Sequence, residues 1–207
     1  GNAFPPYDAT VRAIWSYHVN SNGWEDIGYH WLIAPDGIIY KGRAWLGENE
    51  NVLGAHMCGC NANKLGICLL GDLTDQGPTN EQYSSLIDLI TYKCCNWNIS
   101  PDLESLGTDK TSGNCQEESL NNIISHRDGC PINYTECPGA FFYSQFNQVK
   151  NDIKTSYLNC MLNTNTSEQK SESLILYPNP NTSDFTVKGI FKKEELEIYN
   201  LDGREIN

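Results

Sequence analysis

Asp26-Ile27-Gly28-Tyr29-His30-Trp31-Leu32-Ile33-Ala34-Pro35-Asp36-Gly37-Ile38-Ile39-Tyr40-Lys41 decides the fold of this chain. Two apolar runs, residues 29–33 and 38–41, flank Pro35-Asp36-Gly37, whose turn chemistry predicts a β-hairpin. Upstream, Val11, Ile14, Trp15 and His18 recur at helical spacing, so residues 8–19 read as a helix with Asp8 placed to cap its start. Downstream, residues 65–70 read as a buried strand. Thr79 followed by Gln82 is a capping box ahead of Tyr83, Leu86, Ile87 and Ile90, which predicts a helix running to about Lys93. The polar stretch 98–120, with Pro101, Gly107, Gly113 and Cys115, reads as a long loop that is functional or tied by a disulfide. Residues 122–125 read as a strand delivering His126, and Phe142, Phe146, Val149 and Ile153 mark a last helix. Strands alternating with helices predict an α/β fold, a mixed central β-sheet flanked by helices.

A chain of 207 residues with 39% hydrophobic content is long enough for one sizeable core and a small appendage. No apolar run approaches the ~20 residues that span a bilayer. The net charge of -12, from 14 basic and 26 acidic side chains, opposes the phosphate backbone, so no nucleic-acid partner is expected. Nine cysteines scattered along the chain, without paired CxxC motifs, fit an oxidising, extracytoplasmic compartment. If one of them is a metal thiolate, eight remain for up to four disulfides, although Cys68 in its apolar strand also reads as a buried free thiol. The chain opens at Gly1 without a charged-then-apolar leader; a signal peptide is neither shown nor excluded, and a longer gene product is expected.

His126 and Cys137 lie eleven residues apart, a spacing that a strand end and a following loop fold back into one site. An imidazole nitrogen and a thiolate are donors that zinc prefers, which suggests a zinc hydrolase. Taken alone, the two would read as a surface histidine and a disulfide cysteine.

The flanking motifs decide otherwise. The runs 24–43 (WEDIGYHWLIAPDGIIYKGR), 54–56 (GAH), 65–71 (LGICLLG) and His126 with Thr135-Glu136-Cys137-Pro138-Gly139 resemble N-acetylmuramoyl-L-alanine amidases, in the branch shared by peptidoglycan-recognition proteins and phage T7-type lysozyme. The resemblance covers about residues 1–155 and rests on several motifs in the family's order. It implies Zn2+ as cofactor with His126 and Cys137 as ligands. A third ligand is expected on a strand upstream of Gly1; His18 and His56 match other family positions and are not promoted to that role. Tyr29 takes the position beside the zinc, where a phenol hydrogen-bonds the developing oxyanion. Thr135 stands where many members place a threonine, as a hydroxyl donor or as a turn-stabilising residue. Cys68 occupies a position where another amidase branch carries a catalytic glutamate, which points to the tyrosine-type arrangement. His56 lies near the substrate groove in the family, or is simply a hydrogen-bonded structural histidine. Trp45, Arg43 and Asn61 are weaker substrate-binding candidates, and Arg43 reads equally as a surface charge.

Residues 1–160 are therefore expected to form an amidase domain whose N-terminal strand is missing. Residues 161–173, including NTNTSEQKSES, read as a linker, and 174–207 as a partial β-rich domain. Its Tyr177-Pro178-Asn179-Pro180 and Asn200-Leu201-Asp202-Gly203 motifs resemble the type IX secretion C-terminal sorting domain; the alternative is an unrelated β-hairpin. The resemblance implies a secreted or cell-surface monomer that acts on peptidoglycan or a muropeptide, has no membrane span and is handled by type IX secretion machinery. The expected activity is zinc-dependent cleavage of the MurNAc to L-alanine amide. A non-catalytic peptidoglycan-binding module of the same fold is the first rival, and a disulfide-stapled surface protein the second.

Overall fold

Trp31–Ile33 (β1) carries only apolar side chains and is buried along its length, so it needs cover on both faces. In the computed structural model, which describes residues 6–43, 52–57, 61–107, 118–129 and 135–164, β1 is the middle of a mixed sheet. It pairs antiparallel with β2 (Ile39–Lys41) and parallel with β3 (Ile67–Leu69), in the order β2-β1-β3. The hairpin forms where the sequence predicts it. The Gly37 N–H donates to the Ala34 carbonyl (2.9 Å) and the Ile38 N–H to Asp36 Oδ1 (3.0 Å), while Gly37 takes φ 84°, a value that favours glycine.

Strand alternation divides the core. Leu32 packs with Ile27, Ala34 and Leu70 against Tyr7, Val11, Ile14 and Trp15 of α1 (Tyr7–Ser16) and its approach. Trp31 and Ile33 meet α2 (Asn80–Trp97): the Lys93 ammonium lies 4.5 Å from the Trp31 ring centroid, and Gln82 Nε2 donates to the carbonyls of Ile33 (2.8 Å) and Leu70 (3.1 Å). Leu32 and Ile33 have no exposed surface, so each contributes on the order of 1.5–3 kcal/mol of burial. Behind α2 lies α4 (Phe146–Thr164), preceded by the short α3 (Ala140–Ser144) and joined to α2 by the Cys95–Cys160 disulfide. The fold is the expected α/β class, a small mixed sheet between helices.

Several elements differ from the sequence expectation. The first helix ends at Ser16 and continues as a π-helical turn, Tyr17–Ser21. Pro6, not Asp8, sits at its N-cap; Asp8 pairs instead with Arg12 one turn on. Thr79 does cap α2, accepting from the Gln82 N–H (3.1 Å), but the Gln82 side chain bonds the sheet, so the box is only half made. That helix runs on to Trp97, where Asn98 ends it at φ 52°. The stretch read as a loop contains a hairpin, β4 (Glu104–Gly107) and β5 (Glu118–Asn121), and the strand ends there: His126 stands in a 3-10 turn, His126–Asp128. The last helix begins at Phe146 and reaches Thr164, past the expected domain boundary at 160. Residues 165–207, with the rest of the expected linker and the sorting-domain motifs, lie outside the described residues, as do Trp45 and the cysteines at 58, 60, 115 and 130. Cys68, Cys94 and Cys137 are free thiols.

Candidate active site

Two short segments, eleven residues apart in sequence, supply the expected metal donors, and hydrogen bonds bring them together. Ser125 caps the 3-10 turn reciprocally with Asp128, whose Oδ2 accepts from the Ser125 N–H (3.2 Å) and hydroxyl (2.7 Å). The next residue is His126, with a buried Nε2 that has no hydrogen-bond partner among the described residues. The Arg127 N–H then donates to the Cys137 carbonyl (3.3 Å), which seats the Cys137 loop against the turn. Burial raises the Cys137 pKa, and the nearby Arg127 guanidinium works against that rise. Thr135 Oγ1 accepts from the Cys137 N–H (3.2 Å), so the threonine stabilises this turn, and its own hydroxyl proton remains to be donated.

Tyr29 enters from the sheet side, just before β1. Its phenol pKa is raised by burial and further by the Cys68 and Cys137 thiols, which places all three in one electrostatic neighbourhood. Burial likewise pushes the Cys68 thiol up to about 12, with Cys137 adding to the effect. Cys68 is thus a protonated, inert thiol at neutral pH.

His56 shares an electrostatic neighbourhood with His126. Its pKa is pushed down to about 4 by burial first and by the His30 ring next, with His126 also contributing and a backbone hydrogen bond at Lys64 opposing. The ring is 5.4 Å from that of His30, centroid to centroid, and its Nε2 is buried without a partner. Gly54 and Gly66 make room for it: a Cβ on either would approach a His56 ring carbon to 2.4 Å. Asn61 Oδ1 accepts from the N–H groups of both His56 and Met57 (2.8 Å each), so the carbonyl of Asn61 shapes the Gly-Ala-His turn without engaging its NH₂ group. Arg43 is a clamp between backbones. Its guanidinium donates to the carbonyls of Ile27 (2.7 Å), Asp26 (2.8 Å) and Leu53 (3.0 Å), and its own N–H donates to Tyr29 (2.7 Å). That geometry answers the alternative of a solvated surface charge.

Two supporting histidines were given no role in the sequence reading: His18, weighed as a ligand and declined, and His30. His18, in the π-helical turn, accepts at Nδ1 from the Gly28 N–H (3.2 Å), stacks on Trp24 and lies 5.7 Å from the Tyr29 ring. His30 accepts at Nδ1 from the Gly66 N–H (3.0 Å), which fixes the proton on Nε2, and Nε2 donates to the Val52 carbonyl (2.7 Å). The advance signals were the place of His30 beside Tyr29 in the motif and the helical spacing of His18 with Val11, Ile14 and Trp15. A depression of about 560 Å³ lined by Asp36, Ile38, Asn80, Glu81 and Ser85 contains none of the candidate residues.

A small mixed sheet between helices, with an imidazole, a thiol and a phenol gathered beside it, defines the class of peptidoglycan amidases and recognition proteins. The LysC amidase of Clostridium intestinale superposes with a TM-score of 0.53 at 30% identity, over 74% of this chain and 78% of that one. Human PGRP-IβC, solved with a glycosamyl muramyl pentapeptide, gives 0.53 at 25% identity over 71% and 76%. Among curated proteins, peptidoglycan-recognition protein SC2 of Drosophila simulans is 31% identical over 68% of this chain and 62% of its own length. The chain thus spans about three fifths of such relatives. It belongs to the N-acetylmuramoyl-L-alanine amidase family, whose pattern matches residues 5–140.

Proposed function

We propose that this protein is a zinc-dependent amidase that cleaves the bond between N-acetylmuramic acid and L-alanine in peptidoglycan. The observation that carries the reading is the buried, unpartnered Nε2 of His126 on a turn bonded to the Cys137 loop. Leaving such a nitrogen unsatisfied costs on the order of 1–3 kcal/mol, and a metal ion would relieve it. Nitrogen and thiolate suit zinc. Among the described residues no group of three His, Cys, Asp or Glu side chains stands ready to hold a metal, so His126 and Cys137 would act with a third ligand from outside them.

Zinc held in part by His126 and Cys137 would supply Lewis-acid chemistry, activating water near neutral pH and polarising the scissile carbonyl. The remaining work falls to the chain. Burial keeps the Tyr29 phenol protonated, as a donor to the oxyanion that develops must be. Thr135 offers a second hydroxyl from the loop that carries Cys137. His56, neutral at pH 7, gives the stem peptide an uncharged polar contact beside the Asn61 NH₂ group. Arg43 holds this wall to the Tyr29 strand, and Trp45 is proposed as a further part of it. The muramyl pentapeptide in the PGRP-IβC structure supports the substrate class.

No described helix is long and apolar enough to cross a membrane. The disulfide supports a secreted or cell-surface location, the C-terminal motifs support export by type IX machinery, and the protein is proposed to act as a monomer. The test is metal analysis after dialysis together with release of L-alanine-led stem peptides from muropeptides. Cys137→Ser is expected to lose zinc and hydrolysis together. Full activity in a metal-free protein would defeat the mechanism, and tight muropeptide binding without hydrolysis by the zinc-loaded protein would make it a recognition module.

A further inference from the structure

We propose that Arg127 is the positioning residue that holds the Cys137 thiolate against His126 for metal binding, a role that rests on the zinc reading above. Arg127 directly follows His126 in the chain, and its side chain reaches back over the Cys137 loop. The guanidinium donates through one terminal nitrogen to the Glu136 carbonyl and through Nε to the Cys137 carbonyl (3.2 Å). The same Cys137 carbonyl accepts from the Arg127 backbone N–H (3.3 Å), so one residue grips it from two directions.

The grip is itself supported. The guanidinium lies 4.2 Å from the Tyr143 ring centroid, and the Tyr143 hydroxyl donates to Asp128 Oδ1 (2.7 Å). The other oxygen of Asp128 accepts from the N–H and hydroxyl of Ser125, the cap of the turn that carries His126. The circuit Ser125, Asp128, Tyr143, Arg127, Glu136-Cys137 therefore closes around the two proposed ligands and fixes one relative to the other. Charge pairing is not what fixes them. The Glu136 carboxylate is 3.9 Å away and 71% exposed, a geometry whose net contribution is small, whereas the Arg127 side chain is only 19% exposed. What matters is the planar fork, which bonds adjacent carbonyls and stacks at once; a lysine ammonium offers a single flexible point and cannot do both.

Cobalt(II), added alone to the full chain, is the probe. A thiolate-to-cobalt charge-transfer band that Cys137→Ser abolishes reports the metal–sulfur bond directly, independently of any activity. In Arg127→Lys the protein is expected to keep its circular dichroism and melting transition but to bind cobalt about tenfold or more weakly, with a diminished band, as losing a ligand's supporting partner does elsewhere. Tyr143→Leu, which removes the ring beneath the guanidinium and leaves the carbonyl bonds, should shift both readings the same way by less. A folded Arg127→Lys protein with wild-type affinity and band would overturn the positioning role alone. A wild-type chain lacking any Cys137-dependent band would overturn the metal reading and this role with it.

Discussion

The sheet side and the turn side of the site are built on different principles. Around Tyr29, the supporting groups His18, His30 and Arg43 bond backbone atoms in or beside regular elements, and both histidines are buried. Around His126 and Cys137 no strand stands among the described residues, and the geometry depends on a ring of side chains of which Tyr143 is 36% exposed. The difference teaches where each half is vulnerable. The Tyr29 wall is bonded redundantly, so it follows the stability of the whole fold, whereas the turn side depends on a few side chains whose loss leaves the fold standing.

The first way to test that contrast is to weaken the fold without touching either half. The Cys95–Cys160 bridge spans 65 residues of sequence between α2 and α4, and replacing both cysteines by serine is expected to lower unfolding stability by about 4 kcal/mol. Urea unfolding followed by far-ultraviolet circular dichroism measures it. The Cys137-dependent cobalt band should survive in the variant below its transition; its disappearance from the folded protein would mean that the turn side depends on the helical layer after all.

A second test acts through pH on the wall. The folded pKa of His56 is about 4 against an ordinary 6.5. Between those values the unfolded chain binds the proton that the native state refuses, so stability present above pH 6.5 is lost as pH falls toward 4. The span corresponds to roughly 3 kcal/mol. His56→Gln should flatten that part of the stability profile, and an unchanged slope between pH 6.5 and 4 would show that the ring is not held neutral by burial.

The smallest expected effect is confined to chemistry. Tyr29→Phe keeps the ring that fills the space and deletes the donor, so fold and metal content should persist while turnover falls by about a hundredfold. Steady-state hydrolysis by the zinc-loaded variant checks it. Unchanged kinetics would reduce Tyr29 to part of the wall.

The hairpin around Pro35-Asp36-Gly37 and the Thr79 cap were legible because each is fixed by residues within a few positions of one another. Glu104–Gly107 and Glu118–Asn121 were not, since neither strand has a β-branched residue or a clear alternation. The turn at His126 did carry a local signal, Ser125 with Asp128 three residues on, but the apolar pair Ile123-Ile124 just before it suggested a strand. Tyr29, His126 and Cys137 were singled out through motifs, and the structure adds the bonds that join the His126 and Cys137 segments. Arg127 could not be assigned beforehand: its meaning lies in Tyr143 and the Cys137 carbonyl, which only the fold brings to it. For the same reason Arg43 read as a groove candidate or, equally, a surface charge, whereas its donors are engaged by three carbonyls.

The imidazole of His30 accepts an N–H on one side and donates to a carbonyl on the other. In hydrogen-bonding terms it is a peptide unit turned sideways, inserted between the head of β3 and residue 52. The ladder of the sheet thereby extends through a side chain to a segment that is not a strand. Residues 52–57 are in this sense an honorary edge of the sheet, and hydrogen exchange at the Gly66 amide should slow to the pace of the strands and not to that of a loop.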